Sequence, residues 1–281
     1  MQDHGSRFGA GRRSWFPAIV AATLACVPAA WPQMTAVSAP VLPAIGADQV
    51  VQRLMEKNKE RAQGLQHYSA TRSYRLEYRG FPASTDATME VEVNYDAPGS
   101  KRFTVVSSTG SKMIQNRVFQ RLLESEQQAS DPGNRAHSEL GPGNYNFSMA
   151  GTDGTNYVLN VDPKVESKFL YRGKIWVDGH DFAVIRIEAQ PARNPSFWTT
   201  KSLIHHTYQK VDGGFYLPRE NKTVTNVRMG GVATLTIEYQ SYQVTAAVPI
   251  VSTRKQIVSS EGVWPGGGFT EEVANFVATR K

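Results

Sequence analysis

The chain of 281 residues is 40% hydrophobic and 20% charged, a composition typical of a folded protein and unlike collagen, a coiled coil or a disordered chain. Its formal net charge of +6 falls to +4 without residues 1–47, which contain three arginines and Asp3. This excess of positive charge is small and scattered along the chain. It argues against a nucleic-acid-binding protein, which needs a clustered basic stripe.

The first 47 residues are predicted to be an export signal. Three arginines precede an apolar run over residues 15–30, which is too short to span a bilayer as a mature helix. We therefore expect export to the periplasm, with the cleavage site left open. A lipid anchor at Cys26 is not expected, because Thr23 stands where lipoprotein signals usually have leucine. Cys26 is the only cysteine, so no disulfide and no Cys-ligated metal are expected.

Two segments show helical periodicity. Residues 48–66 and residues 112–128 each place apolar side chains three and four positions apart, with charged or polar residues between them. Both are predicted to be amphipathic helices that cover a core, and a loop rich in Gly, Pro and Asn follows the second. The predicted lid residues are Leu54, Met55, Val118 and Leu122.

After the first helix the pattern changes to a period of two, which is typical of strands with one buried face and one wet face. About ten or eleven antiparallel strands are expected in one domain, residues 48–245, and residues 246–281 are expected to form an extension of low order. Such strands can form two stacked sheets or curl into a barrel. The clearest runs lie near residues 68–79, 88–95, 101–107, 144–150, 155–161, 168–177, 182–190, 201–210, 214–227 and 232–244.

One hairpin, GKIWVDGHDFAVIRIEA at residues 173–189, permits a prediction of register. Opposed residues share one face of a sheet, so we place Ile175 opposite Ile185 and Lys174 opposite Arg186. This register requires a loop of three residues, Gly179 to Asp181, or of five. The charged side of the hairpin then faces solvent and the isoleucine side faces inward.

The inward face of the predicted sheet is apolar. It either encloses a cavity, which would favour an acyl chain at about 0.8 kcal/mol per buried methylene, or is filled by a tightly packed core under a helix. Trp198 lies in a predicted loop. Its side chain either packs on the sheet and holds the loop in place, or lines the mouth of the cavity. The predicted cavity-lining residues are Met89, Val91, Val93, Tyr95, Phe103, Val105, Ile175, Val177, Ile185, Ile187, Trp198, Leu235, Ile237 and Tyr239.

Candidates for catalysis are few. His205 and His206 are adjacent on a predicted strand, so their side chains point to opposite faces and are poorly placed to bind one metal ion. Asp178 and Asp181 flank a turn, where aspartate is favoured because it bonds the local backbone. No nucleophile elbow, phosphate-binding loop or dinucleotide fingerprint occurs in the sequence. We expect no enzyme, no metal and no cofactor.

Four short segments resemble the outer-membrane lipoprotein-sorting family, whose members include LolA, LolB, the RseB sensor domain and LppX. They are YDAPGSKRFTV (95–105), NYVLNVDPK (156–164), IWVDGHDFAVIRIE (175–188) and GGFYLPRENKT (213–223). The resemblance spans about residues 48–245 and implies a mainly β fold with helices: an incomplete antiparallel barrel of about ten or eleven strands, capped by helices, around a hydrophobic cavity. The carriers of this family have an arginine where this chain has Ala97.

What the resemblance implies about function is an exported carrier that binds the hydrophobic chains of a lipid or an acylated lipoprotein without a covalent bond. The alternative is an envelope-stress sensor of the RseB kind, which detects lipoprotein-like ligands and contacts a partner protein. The expected partners are a lipid or an acylated lipoprotein, with envelope membrane proteins as a further candidate and no nucleic acid, and the protein is expected to be a monomer.

Overall fold

The computed structural model describes residues 42–129, 137–167, 169–193, 199–228 and 230–246. Trp198, the export signal up to residue 41 and the extension beyond residue 246 lie outside the described residues, so these predictions stay predictions. Within those ranges, no helix is both long enough and apolar enough to cross a membrane.

Two long helical segments accompany the sheet in the described residues, besides a single 3-10 turn at Asp212–Gly214. The second, called the covering helix below, is continuous through a π-helical turn, and the Ser111 hydroxyl caps its start by accepting a hydrogen bond from the Ile114 amide at 3.5 Å. The first ends where Leu65 takes an extended conformation and begins a strand. The helical bounds are α1 (Ala47–Gly64), α2 (Lys112–Ile114), the π-turn (Gln115–Phe119) and α3 (Gln120–Ala129).

All ten strands belong to one antiparallel sheet with the order β3-β2-β1-β10-β9-β8-β7-β6-β5-β4, whose edges are β3 and β4. Every pair except β1 with β10 joins strands that follow each other in the chain. The strands are β1 (Leu65–Gly80), β2 (Thr85–Asp96), β3 (Ser100–Gly110), β4 (Tyr145–Asp153), β5 (Asn156–Pro163), β6 (Tyr171–Asp178), β7 (Val184–Pro191), β8 (Thr199–Val211), β9 (Phe215–Val227) and β10 (Gly231–Ala246).

The predicted fold class is confirmed: the protein is mainly β, with ten antiparallel strands in an open sheet and two helical segments. A sandwich is excluded, since the described strands form a single continuous sheet. Buried and exposed residues alternate along β1 and β2, because one face of the sheet is apolar and covered. The same alternation is visible in the sequence, so the strands could be predicted from it.

Two separate hydrophobic cores lie on the sheet. The first core joins β1, β2, β9 and β10 to the covering helix, which contributes Ile114, Val118, Phe119 and Leu122. The second core joins β4 to β7 and one residue of β8 to α1. Each helical segment therefore covers its own part of the sheet.

The predicted register of the β6–β7 hairpin is wrong by two residues. Lys174 lies opposite Glu188 rather than Arg186, and Ile175 lies opposite Ile187 rather than Ile185. Asp178 is the physical reason, because its carboxylate accepts hydrogen bonds from the amides of His180 and Asp181 and shapes a loop longer than three residues. The observed register also removes the repulsion that the predicted one placed between Lys174 and Arg186.

A β-bulge displaces Ile185 from the inward face. Val177 pairs with Val184 and Trp176 pairs with Arg186, so Ile185 is an extra residue between them. Val184 and Ile187 are buried in the second core, whereas Ile185 is only half-buried and is absent from that core. The prediction that Ile185 lines the interior is therefore wrong.

Gly173 tests the observed register, since it lies opposite Ala189 where the two backbones approach closely. A Cβ atom at Gly173 would lie 2.6 Å from Ala189 Cα. We predict that Gly173→Ala lowers the free energy of unfolding by about 1–3 kcal/mol, because the added methyl group has no room. Urea denaturation measures the change.

Gly143→Ala is the matched control, because a Cβ atom at Gly143 would meet no atom within 4 Å. It should change stability by less than about 0.5 kcal/mol. Equal stability of the two variants would contradict the observed pairing of β6 with β7.

Candidate functional site

Most of the predicted lining residues face inward, but they divide between the two cores. The first core holds Met89, Val91, Val93, Leu235, Ile237 and Tyr239, with Val118 and Leu122 of the covering helix packed on them and Tyr95 and Phe103 half-buried at its margin. The second core holds Ile175, Val177 and Ile187, with Leu54 buried and Met55 half-buried on the α1 side. In both cores these side chains pack against neighbouring side chains, and a role in binding a ligand stays a prediction.

Val105 does not have an enclosed position. It lies opposite Val91, yet its side chain is 51% exposed because β3 is an edge strand and its central residues are uncovered. Val106 beside it is exposed as well. The prediction that Val105 lines an enclosed interior is wrong.

A stripe of buried polar side chains runs along the inward faces of β8 and β9, between the two cores. His206 lies opposite Asn221, and Ser202 lies opposite Thr225, with 3.0 Å between their hydroxyl oxygens. His205 points to the other face, towards Glu188, as the sequence predicted for adjacent histidines. The buried polar residues of this stripe are Thr199, Ser202, His206, Asn221, Thr223 and Thr225.

The most unusual site is a charge cluster of Arg72, Lys101 and Glu126 between the sheet and the covering helix. Arg72 on β1 holds the Glu126 carboxylate with both terminal nitrogens, at 2.6 Å and 3.1 Å. Lys101 Nζ on β3 donates to the same carboxylate at 2.8 Å. The three side chains are 3%, 9% and 1% exposed, respectively.

Aromatic rings hold the guanidinium of Arg72 in place. Its Cζ atom lies 4.7 Å from the centre of the Tyr239 ring and 5.5 Å from that of Phe103. Tyr74 accepts a hydrogen bond from Arg72 Nη1 at 3.4 Å. Arginine is suited to such a position, because its flat guanidinium can stack on rings while it binds a carboxylate.

Burial and charge act in opposite directions on Glu126. Burial alone would raise the pKa of its carboxyl, but the attraction of Arg72 and Lys101 and their hydrogen bonds lower that pKa to about 2. In the same way, burial opposes the charge of Lys101, while Glu126 raises the pKa of the ammonium above its ordinary value. All three groups are therefore charged at neutral pH.

The covering helix contains a π-turn, in which the Gln120 amide bonds to the Gln115 carbonyl. Two consecutive residues of this turn, Val118 and Phe119, are both buried in the first core. The Phe119 ring lies 6.0 Å from that of Tyr74. Such turns often occur at functional sites.

The sequence contained a signal for this cluster that the prediction missed. Arg72 lies between Ala70 and Tyr74 in the series of alternate β1 residues that face the core. Glu126 lies four residues after Leu122, on the apolar side of its helix. A charged residue at an apolar position of each pattern indicates a buried ion pair. The identity of the partners depends on the tertiary fold.

The first helix is fastened differently. Arg61 near its end donates to the main-chain carbonyl oxygens of Asp181 and Phe182, and Arg61 Cζ lies 5.1 Å from the centre of the Tyr216 ring. Asp181 in turn accepts hydrogen bonds from Lys210 and Tyr216, which hold the pKa of its carboxyl well below the ordinary range. These contacts are half-buried or exposed, unlike the charge cluster.

No family model matches the sequence, and no curated protein matches it either. Solved structures to which the chain is similar include the following three. A LolA superfamily protein from Nitrosomonas europaea is 12% identical, with a TM-score of 0.35 over 75% of this chain and 99% of that chain. An outer membrane lipoprotein-sorting protein domain from Vibrio parahaemolyticus is 11% identical, with a TM-score of 0.36 over 72% of this chain and 95% of that chain.

The third is the MucA/MucB complex from Pseudomonas aeruginosa, at 10% identity and a TM-score of 0.21 over 71% of this chain and 99% of that chain. The similar structures thus include members of the family that the sequence resembles. Similarity this distant carries no argument about a ligand or a partner, which must come from the side chains of this chain.

The charge cluster should dominate the stability of the covering helix. We predict that Glu126→Gln lowers the free energy of unfolding by about 3–5 kcal/mol, because it leaves two buried cations without a charged partner. Glu124→Gln, on the exposed face of the same helix, is the control and should change stability by less than about 0.5 kcal/mol. Urea denaturation at neutral pH measures both.

The pH dependence follows from the lowered pKa of Glu126. The stabilisation by its carboxylate is complete above the ordinary pKa of about 4.5 and is lost as the pH falls towards about 2. The difference in stability between the wild-type protein and Glu126→Gln should therefore shrink over this range. A difference that is constant from neutral pH to pH 2 would contradict the assignment.

Proposed function

We propose that this protein is an exported, periplasmic carrier that binds the hydrophobic chains of a lipid or an acylated lipoprotein between the inward sheet face and the covering helix. It acts as a monomer, without a cofactor and without forming a covalent bond. The observation that carries this proposal is that the apolar first core is closed by one short helix, which a charge cluster fixes to the sheet.

The covering helix and a bound hydrophobic chain would contribute similar free energies of apolar burial. We call the state with the helix on the sheet the covered state and the state with a guest in its place the loaded state. Four buried apolar side chains of the covering helix contribute roughly 6–12 kcal/mol, at about 1.5–3 kcal/mol for each. A chain with about ten methylenes contributes roughly 8 kcal/mol when it is buried in their place. A hydrophobic guest can therefore offset the apolar contribution of the helix, which leaves the contacts of the charge cluster as the main cost of opening.

The two helical segments are attached to the sheet in different ways. The covering helix meets the sheet through its apolar side chains and through Glu126, at one end of the strand order. The other segment, α1, is held by Arg61 to the β6–β7 loop and by its own core. We infer that the covering helix opens and that α1 stays in place.

A weaker cover should bind a guest more tightly. We predict that Leu122→Ala raises the affinity for a fluorescent long-chain fatty alcohol by at least about tenfold, because the lost side chain costs the covered state about 2–5 kcal/mol. Glu124→Ala, on the exposed face, is the matched control and should bind like the wild-type protein. Fluorescence titration measures the affinities.

A series of alcohols of increasing length tests the burial itself. Each added methylene should raise the affinity about fourfold, which corresponds to 0.8 kcal/mol. The carrier proposal fails if no alcohol binds to the wild-type protein or to Leu122→Ala. A decrease of affinity in Leu122→Ala would show that the covering helix supports binding instead of competing with it.

A second candidate function is a sensor that binds an acylated ligand and contacts a partner protein. The edge strand β3 favours it, since Val105 and Val106 are exposed there and one side of an edge strand has free backbone groups. Transfer of a bound fluorescent alcohol from the protein to phosphatidylcholine vesicles separates the two functions. We expect release to the vesicles, as a carrier requires, whereas retention of the ligand would favour the sensor.

A further inference from the structure

Two nearly buried cations share a single carboxylate in the charge cluster. Arg72 and Lys101 each carry a positive charge, and Glu126 carries the one negative charge that faces both of them. One positive charge is therefore in excess among these three buried groups. In addition, Arg72 Nε is buried and has no hydrogen-bond acceptor in the part of the chain that the structure describes.

The cations and the carboxylate belong to different parts of the fold. Arg72 and Lys101 project from strands β1 and β3, whereas Glu126 projects from the covering helix. When that helix opens, its carboxylate leaves and the cations stay on the sheet. A guest that covers the sheet in place of the helix shields these cations from water again, and a buried cation without a partner is costly, so the loaded state is favoured when the guest brings an anion to this place.

We propose that the hydrophobic ligand has an acidic head group, which takes the place of Glu126 between Arg72 and Lys101. This inference rests on the proposed carrier function and names the class of its ligand, an anionic amphiphile such as a long-chain fatty acid. A fatty-acid carboxylate has the same two oxygens as Glu126, so it can accept both hydrogen bonds of the guanidinium and that of the ammonium.

The surroundings of Arg72 fit this role. In the neighbouring strands Arg72 lies opposite Val91 and Tyr239, and both belong to the first core. A chain attached to a head group at Arg72 would therefore begin directly among apolar side chains. The Tyr239 ring also keeps the guanidinium in position before the ligand arrives, which lowers the entropic cost of binding.

Two phenols next to Arg72, those of Tyr74 and Tyr239, are neutral. Burial raises the pKa of Tyr74 to about 12, and burial likewise holds the pKa of Tyr239 above its ordinary value, so both phenols are uncharged at neutral pH. These two phenols therefore do not balance the excess positive charge. An entering anion would meet no charge of its own sign from these side chains once Glu126 has moved.

A comparison of a long-chain fatty acid with the fatty alcohol of the same chain tests the head group. Both displace a neutral fluorescent alcohol from the purified full-length protein at neutral pH. We expect the wild-type protein to bind the acid at least about tenfold more tightly, because hydrogen bonds to charged groups are the stronger ones. Glu126→Gln should increase this preference further, since the internal competitor loses its charge.

Lys101→Met removes one cation and should reduce the ratio of acid affinity to alcohol affinity by about tenfold. Its matched control is Lys112→Met, because Lys112 is exposed at the start of the covering helix. Arg72→Met should abolish the preference, and Lys101→Met keeps the test decisive if the Arg72 variant does not fold. Circular dichroism verifies the fold of each variant.

Equal binding of acid and alcohol by the wild-type protein would overturn the head-group proposal and leave the carrier function intact. An unchanged acid preference in Glu126→Gln, together with its lower stability, would show that Glu126 is a structural residue only, and this also overturns the proposal. If neither compound binds, the carrier function fails and the head-group proposal fails with it.

Discussion

The ion pair of Arg72 with Glu126 is the interaction on which the first core depends. It joins strand β1 to the covering helix at a place where water is excluded, and Lys101 brings the edge strand β3 into the same contact. Apolar packing alone would let the helix slide along the strands, because it has no direction. The two parallel hydrogen bonds from Arg72 fix both its position and its orientation.

An open sheet of ten strands has more apolar surface than one helix can cover. The protein solves this problem with two cores, each under its own helical segment, and with polar residues on the inward faces of β8 and β9 between them. Thr223 and Thr225 suit such a position, because they favour strands but need less cover than valine. The division explains why the predicted lining residues do not form one continuous surface.

The sequence predicted the strands and helices well because their periodicity is local and follows from burial. It failed on the β6–β7 hairpin, where the bulge at Ile185 and the backbone bonds of Asp178 changed the register without changing the inward side of Ile175 and Ile187. It also missed the charge cluster, although Arg72 and Glu126 each interrupt an apolar pattern. Their pairing joins distant parts of the chain, so no local pattern could specify it.

The pairing of β1 with β10 has a consequence for the order of folding. The first strand of the sheet and the last lie side by side, and the first core combines Tyr74 and Leu76 of one with Leu235 and Ile237 of the other. Contacts between such distant segments form late, because a long loop must close before they can stabilise the chain. The first core is therefore complete only when the whole domain is available to fold, and a chain that still lacks β10 keeps this half of its sheet unfinished.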